Sequence, residues 1–310
     1  MYPADPALNV VALGGGHGLH ASLRALRRVV SAPTAIVTVA DNGGSSGRLR
    51  EEFGVLPPGD LRMALAALCA DDEWGQTWEQ VVQHRLSGRG SLAGHPIGNL
   101  LYLGLWELMD DPVLTLDWLG RLLQVQGRVL PMALSPMDIE AEVDLDGRIA
   151  RVRGQVAVAT TPGRIRSVTL DPLDPKPCPE TLDAVATADW IVLGPGSWFT
   201  SVIPHLLVPS LRRALVDSPA RVLVTLNLDA QTGETTGFDP EDHLAVLAEH
   251  APDLGIDVVL ADEAAAGPSL AAAVGELGAR LHLAPVAEPR VAGRHDAARL
   301  AAAYADILGS

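Results

Sequence analysis

Asp41 and Asn42 follow directly on the apolar, β-branched run Ile36-Val37-Thr38-Val39-Ala40 and precede Gly43-Gly44-Ser45-Ser46-Gly47-Arg48-Leu49-Arg50. The run reads as a buried strand. The stretch from Gly43 to Gly47 has almost no side-chain bulk. In an open α/β sheet, ligands bind beyond the carboxyl ends of strands. A carboxylate there, leading into a loop of exposed backbone N–H groups, is equipped to hold a metal ion and phosphate oxygens together. A merely flexible connection leaves unexplained why a carboxylate precedes the glycines and a cationic fork comes after them. Asp41, Asn42, Gly43, Gly44, Ser45, Ser46 and Arg48 are therefore candidate ligand-binding residues, and Asp41 is a candidate metal ligand.

Three further segments carry the same signature. The short apolar run Asn9 to Leu13 ends in Gly14-Gly15-Gly16-His17-Gly18, after which Leu19, Leu23, Leu26 and Val30 recur at helical spacing. Such a strand–turn–helix lets a phosphate meet the backbone at a helix N-terminus. It is weak as a dinucleotide fingerprint, because Leu19 takes the place of the third glycine. Trp190-Ile191-Val192-Leu193 runs into Gly194-Pro195-Gly196-Ser197-Trp198-Phe199-Thr200-Ser201, with Gly194, Gly196, Ser197 and Thr200 as candidate contacts. The strand Arg221 to Leu228 ends in a polar cluster that offers Asn227, Thr232 and Glu234. In Pro57-Pro58-Gly59-Asp60, Asp60 reads as a helix N-cap, as a second carboxylate facing Asp41 across a metal, or as both. In Gly94-His95-Pro96-Ile97-Gly98-Asn99, Asn99 sits near a buried helix start and needs partners; His95 either contacts phosphate or caps the turn.

No Walker A lysine, G-x-S-x-G elbow or His/Cys zinc spacing is present, and no obvious nucleophile or general base presents itself. If chemistry occurs, metal-assisted transfer of a phosphorus-bearing group fits best, since positioning and charge neutralisation do most of the work there.

The elements that must position these residues alternate strand and helix. Strands are expected at 9–13, 35–40, 184–193 (with Trp190–Leu193 as its apolar run), 221–228, 256–261 and 280–286. Helices are expected after Gly18, from Asp60 to Leu68, at Trp74–Leu86, Ile97–Met109 and Leu114–Leu123, at 240–250 and 268–277, and from Asp296. This predicts an α/β fold: a Rossmann-like, three-layer, doubly wound, mostly parallel sheet. From Met132 the period changes to two, with a hairpin turn at Asp146-Gly147, strand from Arg148 to Ala159 and strand from Arg164 to Leu170. Residues 132–179 thus read as an inserted antiparallel β-meander and a proline-rich linker within a nucleotide-binding domain of residues 8–131 and 180–310. The insertion could cover the site, shape a pocket or support a dimer.

The formal net charge of −15 argues against nucleic acid and anionic membranes as partners. An anionic small ligand is still compatible, because local arginines and backbone dipoles decide that. Lys176 is the only lysine, and Cys69 and Cys178 form no C-x-x-C pair, as expected of free thiols in a reducing cytoplasm. Met1 to Asn9 lacks a cationic segment and a long apolar run, so no signal peptide is expected. Neither is a membrane span, since Ile97–Met109 is too short to cross a bilayer.

The stretches Val37–Arg50, Pro57-Pro58-Gly59-Asp60-Leu61-Arg62, Gly94-His95-Pro96-Ile97-Gly98-Asn99-Leu100 and Gly194-Pro195-Gly196-Ser197 closely resemble the YvcK proteins. These are the so-called gluconeogenesis factors, relatives of the CofD 2-phospho-L-lactate transferases. The resemblance runs from about Val10 to the C-terminal helix. It implies a cytoplasmic bacterial protein that binds a UDP-sugar such as UDP-N-acetylglucosamine and is needed for cell shape and wall synthesis on gluconeogenic carbon. It also implies a homodimer and cell-wall synthesis proteins as partners. CofD enzymes move a phospholactyl group from a nucleotide carrier to a deazaflavin with Mg²⁺, and Asp41 and Asp60 match acidic positions that hold metal in that branch. The usual pattern is Asp-Asp-Gly-Gly-Ser-Ser-Gly; here Asn42 replaces the second acid, and an amide is a poorer metal ligand. That departure favours binding over transfer. The chain ends at Ser310, shorter than many such relatives, so a regulatory phosphorylated tail is expected to be missing.

Overall fold

A computed structural model describes residues 8–231 and 233–309. β-Branched and leucine-rich runs form a seven-stranded parallel sheet in the order β10-β9-β8-β7-β1-β2-β3. Its strands are β1 (Val10–Gly14), β2 (Thr34–Val37), β3 (Arg128–Pro131), β7 (Trp190–Leu193), β8 (Arg221–Thr225), β9 (Val258–Asp262) and β10 (Arg280–Ala284). Every residue of β1 and β7 is buried, as both faces of a parallel sheet are covered by helices.

The chain steps from β1 outward to β3, then returns to the other side of β1 as β7. Right-handed crossovers then place the helices after β1 and after β7 on opposite faces, and a crevice opens between them. On one face α1 (Gly16–Leu26) packs between α3 (Pro58–Leu68) and α13 (Ala297–Leu308). Beside α3 lie α4 (Glu73–Gln83), α5 (Ile97–Met109) and α6 (Pro112–Leu123). The other face carries α8 (Pro179–Ala186), α9 (Ile203–Leu207), α10 (Pro209–Asp217), α11 (Pro240–His250) and α12 (Pro268–Glu276). No helix among the described residues is long and apolar enough to cross a membrane.

The insertion is a three-stranded antiparallel sheet of β4 (Asp138–Leu145), β5 (Arg148–Arg153) and β6 (Arg164–Asp171), ordered β5-β4-β6. The alternation read through Ala159 breaks at Gly154, whose φ of +97° turns the chain into the short helix α7 (Gln155–Ala159). Strand ends also differ from the sequence reading: the strand expected to Ala40 stops at Val37, the one expected to Leu228 stops at Thr225, and neither β3 nor α8 was anticipated.

Gly104 lies mid-helix in α5 on an exposed face, and a Cβ there meets nothing within 4 Å. Gly104→Ala is expected to stabilise the protein by about 0.5–1 kcal/mol through backbone entropy. A thermal melt checks the sign, and a lower Tm would contradict it.

Candidate functional site

Because all seven strands run parallel, the four singled-out segments meet at one rim. The closest approach is between the turns after β1 and β7. A Cβ on Gly18 would stand 2.2 Å from the carbonyl oxygen of Pro195 and 2.4 Å from Gly196 Cα. Only glycine permits that backbone contact. The turn after β8 locks onto the same point: Gly196 N donates to Asn227 Oδ1 (2.9 Å), and Asn227 Nδ2 donates to Gly196 O (2.8 Å).

Above this junction opens a cleft of about 1290 Å³. Gly15, Gly16, His17, Gly18, Asp60, Gly196, Ser197 and Asn227 all line it, with Gly14 and Gly194 at the strand ends beneath. Asp60 is not the N-cap expected of it. Pro57 holds that place, and Asp60 sits one turn into α3, under the β1 turn. A Cβ on Gly15 would lie 2.7 Å from its Oδ2. Burial and the neighbouring Asp41 push the Asp60 carboxyl up to about 7, against the pull of the Gly16 N–H and Arg62.

The stretch from Asp41 to Arg48 is not an open loop. Helix α2 (Gly44–Phe53) begins inside it, so Gly44, Ser45 and Ser46 form its first turn. Asp41 turns back to accept from Gly43 N (2.8 Å). Asn42 Oδ1 accepts from Val156 N (3.1 Å), docking the N-terminus of α7 onto this loop. The guanidinium of Arg48 reaches the carbonyls of Ser91 (3.2 Å) and Ala93 (3.1 Å) rather than the cleft. Ser45 and Asn99 are buried and joined: Asn99 Nδ2 donates to Ser45 Oγ (2.9 Å), which pairs with His95 Nδ1 (2.7 Å). The His95 ring thus anchors this pair, while its backbone helps close the turn through Leu92 O and Leu86 N.

The third segment also departs from expectation. Its first helical turn, Trp198–Val202, is buried, and Glu234 is folded against it. The Glu234 carboxylate faces the Thr200 hydroxyl, the N–H groups of Trp198 and Phe199 and the Ser197 hydroxyl, without closing a hydrogen bond of ordinary geometry to any of them. Glu234 and Thr200 therefore lie behind the cleft wall, not on it. Thr232 lies outside the described residues.

Several residues that line the cleft were not among the candidate contacts read from the sequence, although Arg62 closes one of the quoted motifs. His20 and Arg24 come from the polar side of α1, Arg62 from α3, Arg85 from just after α4, and Arg294 and His295 from the segment before α13. Arg24 pairs with Glu79 (2.9 Å) and Arg294 with Glu288 (3.2 Å). His20 and His295 are both held down near 4, chiefly by burial, so at neutral pH they act as uncharged hydrogen-bonding groups. The sequence Gly293-Arg294-His295-Asp296 offered one readable clue: a glycine and a cation immediately before a capping acid. Asp296 does cap α13, accepting from Ala298 N (2.8 Å) and Arg299 N (2.9 Å).

The same architecture occurs in known proteins. Residues 10–282 match the family 2-phospho-L-lactate transferase CofD. A "Putative gluconeogenesis factor" of Mycobacterium tuberculosis (strain H37Rv) is 54% identical over 303 residues, covering 94% of this chain and 88% of the relative. The "Gluconeogenesis factor" of Bacillus subtilis (strain 168) is 39% identical over 251 residues, covering 81% of this chain and 77% of the relative. The crystal structure of a UPF0052 family protein from Bacillus halodurans superposes with a TM-score of 0.86 at 36% identity, covering 96% of this chain and 98% of that one. This chain belongs to the CofD family, among the relatives that carry the name gluconeogenesis factor.

Proposed function

We propose that this chain binds a nucleotide sugar of the UDP class, such as UDP-N-acetylglucosamine, and acts in the cytoplasm as a regulator of cell shape and wall synthesis during gluconeogenic growth. It would work as a homodimer beside cell-wall synthesis proteins. The observation that carries this reading is the contact between the β1 and β7 turns at the floor of a polar cleft of about 1290 Å³. Ligand pockets commonly span roughly 300–1000 Å³, so nucleotide and sugar both have room. In this reading the N-terminus of α1 at Gly16–Gly18 receives the diphosphate, while Asn227, Ser197 and Asp229 face the nucleoside or sugar hydroxyls.

A second reading, a CofD-like Mg²⁺-dependent transfer of a phospholactyl group from a nucleotide donor to a deazaflavin, is favoured by Asp41 and Asp60. Burial and the neighbouring Asp41 charge push the Asp60 carboxyl up to about 7. Such a pair suits a divalent cation. No cluster of three or more His, Cys, Asp or Glu among the described residues is arranged to hold a metal, so phosphate oxygens and water would complete the shell. When bound, the ion supplies charge neutralisation at phosphate oxygen. Asn42 does not join, since its side chain holds α7.

Calorimetry with UDP-N-acetylglucosamine, with and without Mg²⁺, tests the first reading. Micromolar binding, roughly 6–8 kcal/mol, is expected, and no heat at millimolar ligand would reject it. Asp41→Ala should remove any Mg²⁺-dependent part of that affinity; an unchanged Mg²⁺ dependence would reject the metal pair. Product formed from a deazaflavin and a phospholactyl nucleotide would overturn the regulator reading.

A further inference from the structure

Arg62 is an unusual cation for its position. It is only 6% exposed, yet it lines the cleft. Its aliphatic stem is clamped at the start of α5: a Cβ on Gly98 would lie 2.9 Å from both Arg62 Cγ and Cδ. Its Nε donates to Asn99 Oδ1 (3.0 Å), and its buried Nη1 has no hydrogen-bond partner. A buried, unpaired guanidinium nitrogen is costly unless a ligand completes it.

The countercharge does not come from behind. The void there, lined by Leu65, Val82 and Tyr102, is only about 10 Å³, about the size of a single water and no larger. Nor does it come from the neighbouring acid on α4, because Glu79 is taken by Arg24 at 2.9 Å. Asp60 and Asp41 act on Arg62 through space without an ion-pair contact, while Arg85 opposes them as a like charge.

The side chain is also held in place from a distance. Arginine only donates, so Asn99 must present Oδ1 to Arg62 and Nδ2 to Ser45. Ser45, accepting from Asn99, keeps its own proton for His95 Nδ1 (2.7 Å). Burial and Arg48 hold His95 down, which favours the neutral imidazole that can accept there. A chain of three side chains, each buried, thus fixes the Nε edge of the guanidinium and leaves Nη1 without a partner in a side chain that lines the cleft.

We infer that the α1–α3–α4 side of the cleft is a second anion subsite, in which Arg62, set by Asn99, Ser45 and His95, holds the carboxylate or phosphate of a small acidic molecule that shares the cleft with the nucleotide. Arg85 and the uncharged His20 flank it. The inference deepens the nucleotide-sugar reading and rests on it for the identity of the cleft's first occupant. The subsite itself is separate from the glycine turns.

Inorganic phosphate and malonate, titrated calorimetrically into the full-length protein, separate the two sources of negative charge. Each is titrated with and without saturating UDP-N-acetylglucosamine. At least one anion is expected to bind both forms with affinities within threefold of each other. Arg62→Gln should weaken that anion more than tenfold while changing UDP-N-acetylglucosamine affinity less than threefold. Arg62→Lys, which keeps the charge and loses the fork, should weaken it at least threefold, and it carries the test if Arg62→Gln does not melt cooperatively. Anion binding that both variants leave intact overturns the subsite. So does an anion that the nucleotide fully displaces, since it would then occupy only the diphosphate site. So does the absence of binding by either anion. If the nucleotide sugar fails to bind but an Arg62-dependent anion does, the nucleotide reading falls and the subsite stands.

Discussion

Gly18→Ala is expected to abolish nucleotide-sugar binding and to lower stability by about 2–4 kcal/mol. The new methyl group would need the space that the Pro195 carbonyl oxygen occupies 2.2 Å away and Gly196 Cα occupies 2.4 Å away. Both obstacles are backbone, so no rotamer change relieves them. The β7 turn is not free to retreat either, because Asn227 grips Gly196 through its N–H and its carbonyl. Either α1 moves outward, which displaces the N–H groups of Gly16–Gly18 from the cleft floor, or the two Asn227 hydrogen bonds break at roughly 1 kcal/mol each. A thermal melt that falls by several degrees together with lost calorimetric binding is the expected pair of results. A Tm and an affinity equal to those of the parent protein would show that the two turns are not in contact in solution. Gly104→Ala, the same chemical change where a Cβ meets nothing, supplies the control of opposite sign.

The parallel sheet was legible because its strands are short, apolar and β-branched, and because polar residues gather where each one stops. The all-apolar run Trp190–Leu193 and its glycines could be placed by that rule alone. Helix α2 was not legible. Gly43, Gly44 and Gly47 have low helix propensity, and the run reads as a loop. In the fold, Gly47 is there for contact rather than flexibility: a Cβ would stand 2.1 Å from the Asn42 carbonyl oxygen. Tertiary packing overrides propensity at that point. The role of Asn42 in the fold was not legible either: its amide reads as a weakened metal ligand, and its Oδ1 serves as the acceptor for α7. The basic wall of the cleft was hidden for another reason. Arg24 and Arg62 lie on helices whose apolar periodicity marks the core face, and an arginine off that face reads as solvated surface. Nothing local in the sequence says that a second helix will close over Arg62 and bury it.

Glu234 illustrates the same limit and carries the second large effect. From sequence it is an acid where a strand stops, hence a ligand contact. In the fold it is 3% exposed, and its carboxylate lies over the helix turn that begins at Trp198. Burial pushes it up from 4.5 to about 7, while the N–H groups of Trp198 and Phe199 and the hydroxyls of Thr200 and Ser197 pull less strongly the other way. Between those two values the native protein holds a proton that the unfolded chain has released. Stability therefore falls as pH rises from about 4.5 to about 7, then levels off. Glu234→Gln keeps the shape and removes the ionisation. It should match the parent protein near pH 4.5 and exceed it by about 3 kcal/mol at pH 8. Buried His205 and the half-buried His20 and His295, all held near 4, make stability fall as pH drops below their unfolded value. They are common to both proteins, so the difference between the two isolates Glu234. Denaturant melts at the two pH values read it out, and a gap of equal size at both would mean the carboxylate is solvated rather than buried. Because Glu234 stands behind the cleft wall, the same substitution should shift UDP-N-acetylglucosamine affinity less than threefold, whereas a direct ligand contact would lose far more. The acid that looks most like part of the binding site is thus expected to act on folding, and Arg62, which was not read as a contact, to act on a second, anionic ligand.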